Sequence, residues 1–126
     1  MSPGVGGKTY DLEERTFQFA RRVRAFVKHL HRSICNLEDG KQLVRSYGSV
    51  GANYIEANES VSKKDFVLRV RIARKEAKES RYWLRLLDAG GAAEVEHERD
   101  ALIQEATELM RILGAILQKV QSGGPK

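Results

Sequence analysis

Between Ser62 and Leu87 the sequence places nine basic side chains and three acidic ones. Lys64, Arg71, Lys78 and Arg85 recur every seven residues, and Arg74 and Arg81 fill the gaps. On a helix, steps of three and four keep Arg71 to Arg85 on one face. That row is about 21 Å long at 1.5 Å per residue. Arginine predominates in it, and the planar guanidinium suits bidentate contact with phosphate. An earlier segment repeats the stepping with Arg21, Arg24, Lys28 and His31, and Arg15, Arg22 and Arg32 lie nearby. Such a row reads either as a solvated face partly neutralised by Glu76 and Glu79, or as an electrostatic track for a polyanion that positions a phosphate backbone and does not read base sequence. Tyr82 and Trp83 sit within the longer row. Aromatics among arginines can stack on unpaired bases, although Trp83, beside Leu84 and Leu87, reads first as a core residue.

The residue types that carry catalysis are sparse. Cys35 is the only cysteine, which excludes an intrachain disulfide framework. His31 lies four residues before it, but no third group orients such a pair. His29 and His31 point to different sides of a helix and make poor joint metal ligands. Glu56 and Glu59 lack the Glu-x-x-His partners that bundle metal sites use. The Gly48-x-x-Gly51 spacing fits helix packing better than a nucleic-acid clamp, because its surroundings are helical. The expectation is a protein that is not an enzyme and needs no cofactor or metal.

These side chains must be positioned by helices. Both prolines, Pro3 and Pro125, are near the ends of the 126 residues, and nothing between them forbids long helices. Four segments show a helical period. The first, from about Asp11 to His31, carries Leu12, Phe19, Val23, Phe26, Val27 and Leu30. Ser33 to Gly40 breaks the pattern. The second, about Lys41 to Glu59, has a stripe of Leu43, Tyr47, Val50 and Tyr54, with Val44, Gly48, Gly51 and Ile55 beside it. Gly48 and Ala52 form a small-xxx-small pair that suggests close approach by a neighbouring backbone. The third opens at Ser62-x-x-Asp65, which resembles a capping box, and stops near Gly90-Gly91. Its inner face is Phe66, Val70, Ala73, Ala77, Ser80, Leu84 and Leu87. The fourth, about Glu96 to Val120, repeats Leu102, Ala106, Leu109, Leu113, Ile116 and Val120, with Ile103, Met110 and Leu117 alongside. This apolar face is wider than one bundle seam needs and suggests oligomerisation.

The fold expected is all-α, an antiparallel up-down-up-down four-helix bundle over residues 10–121. Residues 1–9 and 122–126 read as flexible tails. A single domain of this length with 41% hydrophobic residues can build a core without staples. No apolar run spans a membrane and no secretory h-region is visible, so the expected address is the cytoplasm. The net charge of +5 is uneven. Residues 1–85 hold 18 basic and 10 acidic side chains, and residues 86–126 hold four and seven. Such asymmetry suits a polyanion, an acidic protein surface, or contact between unlike faces of two copies.

Two blocks are similar to those of a known family. They are Leu43-Val44-Arg45-Ser46-Tyr47-Gly48-Ser49-Val50-Gly51-Ala52-Asn53-Tyr54-Ile55-Glu56-Ala57, and Ser62-Lys63-Lys64-Asp65-Phe66 followed by Arg71 to Glu79 and Tyr82 to Leu87. With the opening Tyr10 to Thr16, they resemble the four helix bundle proteins, also called 23S ribosomal RNA intervening-sequence proteins. The sequence departs from that pattern at Tyr47, Gly48 and Tyr54, where smaller or aliphatic residues are usual. The resemblance implies a compact bundle that assembles into a ring-like homopentamer, with no catalytic residues to carry over. A related group, the accessory variability determinants of diversity-generating retroelements, forms similar pentamers that bind nucleic acid and a reverse transcriptase. Arg45, Ser49, Asn53 and Glu56 match the family motif and share one polar side of the second helix. They are expected to form a polar network holding helix ends or subunits. The functional expectation is nucleic-acid binding, to structured RNA or RNA/DNA, through Arg21, Arg24, Lys28, Lys64, Arg71, Arg74, Lys78, Arg81 and Arg85. The alternative is a scaffold that docks a protein partner such as a reverse transcriptase.

Overall fold

The computed structural model describes residues 3–123, with side chains from 11 to 122. The described residues form four helices: α1 (Pro3–Lys28), α2 (Ile34–Asn58), α3 (Lys63–Leu86) and α4 (Ala93–Gly123). The helical backbone of α1 begins at Pro3, well before the start that periodicity sets at Asp11. A proline in the first turn loses no hydrogen bond there. The N-terminal tail expected over residues 1–9 is therefore helical from Pro3, and Met1 and Ser2 lie outside the described residues. At the other end α4 runs to Gly123, and the rest of the expected C-terminal tail, 124–126, is likewise outside.

Helix α2 also starts earlier than expected. Ser33 is its N-cap, and the Ser33 hydroxyl accepts from the Asn36 N–H at 3.0 Å. Residues Ile34 to Gly40, read as a break, are its first two turns. Their pattern is inverted: Asn36 and Gly40 are buried while Ile34 and Leu37 are exposed. An apolar period cannot register such a turn. The start of α3 is as expected, with the Ser62 hydroxyl accepting from the Asp65 N–H at 3.1 Å.

Helices that follow one another in sequence are packed together, and α4 closes the square against α1. Every pair is antiparallel, because contacts on the two helices run in opposite order. Gly40 lies by Val27 and Gly51 by Thr16. The Ser46 and Ser80 hydroxyls are 2.9 Å apart, and Arg69 Nη1 donates to Asn53 Oδ1 at 3.1 Å. On the α1–α4 seam, Arg15 forms a two-pronged pair with Glu105 at 2.7 and 2.9 Å, and Arg22 reaches Glu98 at 3.2 Å.

The core is built from the predicted stripes. Phe19, Val23, Leu43, Val50, Val70, Leu84, Leu102, Leu109 and Leu113 are each at most 1% exposed. The second stripe of α4 is consumed here too. Met110 and Leu117 are buried and Ile103 is half-buried, so this face fills the bundle. The wide face of α4 therefore gives no support to oligomerisation. Exposed apolar side chains share one face of α2, at Ile34, Leu37, Val44 and Ile55, and others stand at Phe17 on α1, at Val61, and at Leu68 and Leu86 on α3.

Asn36 locks the end of the bundle where two connections meet. Its Nδ2 donates to the carbonyls of His31 at 3.1 Å and Asp88 at 2.8 Å. Its Oδ1 accepts from the Asp88 N–H at 2.9 Å. The α3–α4 turn itself uses two residues with positive φ, Gly90 and Gly91.

Candidate nucleic-acid interface

The six bases expected to form one row on α3 divide by position. Arg74 and Arg81 lean onto α4. Arg74 Nε donates to the Met110 carbonyl at 3.3 Å, and Arg81 Nη1 to Thr107 Oγ1 at 3.2 Å. Gly114 makes room for the first of these: a Cβ there would lie 3.1 Å from Arg74 Nε. Lys64, Arg71, Lys78 and Arg85 are exposed, as is Arg74, but make no hydrogen bond to α4 among the described residues. Among the described residues none of these four enters an ion pair. The neighbouring Lys75 is drawn towards Glu79 at 3.8 Å. The outer row thus keeps its cationic ends available for a phosphate backbone.

Tyr82 and Trp83, adjacent near the end of α3, take different roles. Trp83 is half-buried against the core, as its neighbours suggested. Tyr82 is 56% exposed and meets Trp83 edge-on, with ring centroids 4.9 Å apart. Trp83 holds the Tyr82 ring at the surface, between Lys78 and Arg85 in sequence, where a base could stack on it.

On α1, Arg21, Arg24 and Lys28 are exposed. The Arg21 guanidinium lies 5.9 Å from the centre of the Phe17 ring, a cation–π contact on the surface. Arg15 and Arg22 are engaged by the acids of α4. The Glu105 hydrogen bond raises the Arg15 pKa against the opposing effect of burial. Two acids of α4 are thus neutralised by bases of α1 within the chain. Helices α1 and α3 sit on opposite corners of the square, so their basic rows do not merge into one patch.

The four motif residues of α2 form a ladder more than a network. Ser49 Oγ donates to the Arg45 carbonyl at 3.2 Å, and Asn53 Nδ2 to the Ser49 carbonyl at 2.9 Å. Asn53 Oδ1 accepts from Arg69, the single link from this group to another helix among the described residues. Glu56 contributes only its backbone carbonyl, to the Glu59 N–H and the Ser60 hydroxyl. Arg45 is exposed and lines a groove between α1 and α2 with Lys28, His31, Arg32 and Lys41.

Sequence reasoning missed that clustering, because the bases come from two helices whose register cannot be read from spacing. It also missed Asn36. The Ser33-x-x-Asn36 cap, followed by Gly40, Leu43 and Tyr47 at steps of four, three and four, was the available signal. Cys35 is exposed, and His31 faces the Asp88 carboxylate at 3.7 Å. Among the described residues no three metal-ligating side chains converge, and no helix is long and apolar enough to cross a membrane.

Fold and surface together define a small antiparallel four-helix bundle with basic rows on opposite corners. Residues 8–115 match the family model of the 23S rRNA-intervening sequence proteins, and the chain belongs to that family. It is similar to a crystal structure from Bacteroides thetaiotaomicron, described as a protein with unknown function from the S23 ribosomal protein family. The two share 29% identity over 88% of this chain and 98% of that one, with a TM-score of 0.71. Among curated proteins no match is found.

Proposed function

We propose that this protein is a non-enzymatic bundle that binds nucleic acid, structured RNA or RNA/DNA, on the outer face of α3. One observation carries the reading: Lys64, Arg71, Lys78 and Arg85 are exposed without ion-pair partners among the described residues, and exposed Tyr82 accompanies them. The cationic ends follow a phosphate backbone, and Tyr82 offers a stacking surface for an unpaired base. Arg74 and Arg81 flank the row but are committed to α4, and Arg21, Arg24 and Lys28 form a separate surface across the bundle. The pentameric ring implied by the family resemblance would repeat the α3 row five times and gain by multivalency.

The test uses the residues that do not brace the fold. Replacing Arg71, Lys78 and Arg85 together by Glu is expected to weaken hairpin-RNA binding at least tenfold and leave the helical circular dichroism unchanged. The slope of log K against log salt should become shallower by about two to three, since each lost phosphate contact removes about 0.7–0.9. Undiminished affinity in the triple variant overturns the proposal. A scaffold that docks a protein partner is the second reading, and it rests on the groove between α1 and α2.

A further inference from the structure

The groove between the C-terminal half of α1 and the N-terminal half of α2 has an apolar floor and a basic rim. Val27, Leu30, Leu37, Gly40 and Val44 line the floor, and its volume is about 560 Å³. Leu37 and Val44 are 54% and 49% exposed, and Ile34, one turn earlier on the same face of α2, is 83% exposed. Lys28, Arg32, Lys41 and Arg45 stand around it. Of these four, only Lys41 has an acidic partner among the described residues, Glu38 at 3.4 Å with both side chains exposed. A pair so exposed contributes little and is readily exchanged. His31, also on the rim, is turned to Asp88.

Three features choose the occupant. The floor is aliphatic, without a ring for bases to stack on, so it rewards an apolar side chain over a nucleotide. The rim is cationic on both helices, so the occupant carries acids on the sides flanking its apolar stripe. A second copy of this chain is poorly suited. On its most acidic helix Glu105 is held by Arg15 in a two-pronged, part-buried pair, and Glu98 faces Arg22 of the same copy. From Ile34 to Arg45 the α2 wall runs about 17 Å, or three helical turns. We propose that this groove docks an acidic amphipathic helix of a partner protein, its apolar residues seated at i, i+3/i+4 and i+7 on Leu37 and Val44. The site lies away from the α3 row and does not depend on the nucleic-acid reading.

The experiment uses the full chain and a fluorescein-labelled 18-residue peptide of leucines at helical spacing with glutamates elsewhere. A control peptide replaces every glutamate by lysine. The acidic peptide is expected to bind saturably, more weakly as salt rises, and the lysine peptide to bind at least tenfold less tightly. Leu37→Glu with Val44→Glu changes only exposed positions and is expected to reduce acidic-peptide affinity at least tenfold. The same variant should bind hairpin RNA as the wild type does. Absence of saturable binding, equal binding of the two peptides, or an unaffected double variant overturns the proposal. So does displacement of the peptide by RNA, which would make the groove part of a nucleic-acid surface. A lower sedimentation mass of the double variant alone also overturns it, because the occupant would then be a second copy.

Discussion

A Cβ at position 51 would lie 2.8 Å from Thr16 Oγ1 and 3.2 Å from Thr16 Cβ, whereas one at position 48 would meet nothing within 4 Å. Thr16 is fully buried and its hydroxyl is held by the Glu13 carbonyl at 2.9 Å, so it cannot step aside cheaply. Gly51→Ala is therefore expected to cost on the order of 1–3 kcal/mol in urea denaturation. Gly48→Ala should stabilise by up to about 1 kcal/mol, because alanine is the better helix former. The sequence could say that close approach was wanted on α2. It pointed to Gly48 and Ala52, because only a partner's register shows that Gly51 is the residue facing α1. Glu76 offers a second check at this scale. Burial, reinforced by Glu79 and opposed by Lys75, raises its carboxyl pKa from the ordinary glutamate value. The folded state then keeps a proton that the unfolded chain releases near pH 4.3. Its contribution to stability is present below that value and is lost as pH rises through the raised folded pKa. Glu76→Gln is accordingly expected to melt higher than wild type at pH 7, with the difference shrinking at pH 3.5. An equal difference at both pH values would contradict this assignment.

At the scale of elements, the inner faces of α3 and α4 were legible because apolar side chains carried the period, with Ser80 the small polar member on α3. Val70, Ala73, Ala77, Leu84, Leu102, Leu109 and Leu113 are all buried as their spacing requires. The start of α2 was not legible, because its first two turns bury a polar residue and a glycine and expose aliphatic ones. Hydrogen bonding compensates for that inversion. Asn36 is 5% exposed and satisfies three backbone groups of the two connections. Asn36→Ala would remove the partner of those groups in a part-buried setting and is expected to cost on the order of 1–3 kcal/mol. The loss should be accompanied by faster amide hydrogen exchange at Asp88. An Asp88 amide as protected as in wild type would show that Asn36 does not hold the two connections together.

At the scale of the molecule, topology decides what the charges can do. Helical spacing revealed each basic row. It did not reveal that α1 and α3 occupy opposite corners, that Arg15 and Arg22 are engaged by α4, or that Arg45 joins Lys28 across a groove. These facts depend on which helices touch and in what register. Besides the exposed bases of α1, the bundle carries two basic surfaces of different chemistry. One is an outer row with an exposed tyrosine, and the other is a rim around aliphatic side chains. The central claim concerns the first and is tested most directly by fluorescence anisotropy of labelled hairpin RNA over a salt series. Wild type should bind with a log–log slope of about −2 to −4, reporting three or four phosphate contacts by a single α3 row. The Arg71, Lys78 and Arg85 reversal should flatten that slope. Absence of binding at low salt, or a slope untouched by the reversal, would contradict the account.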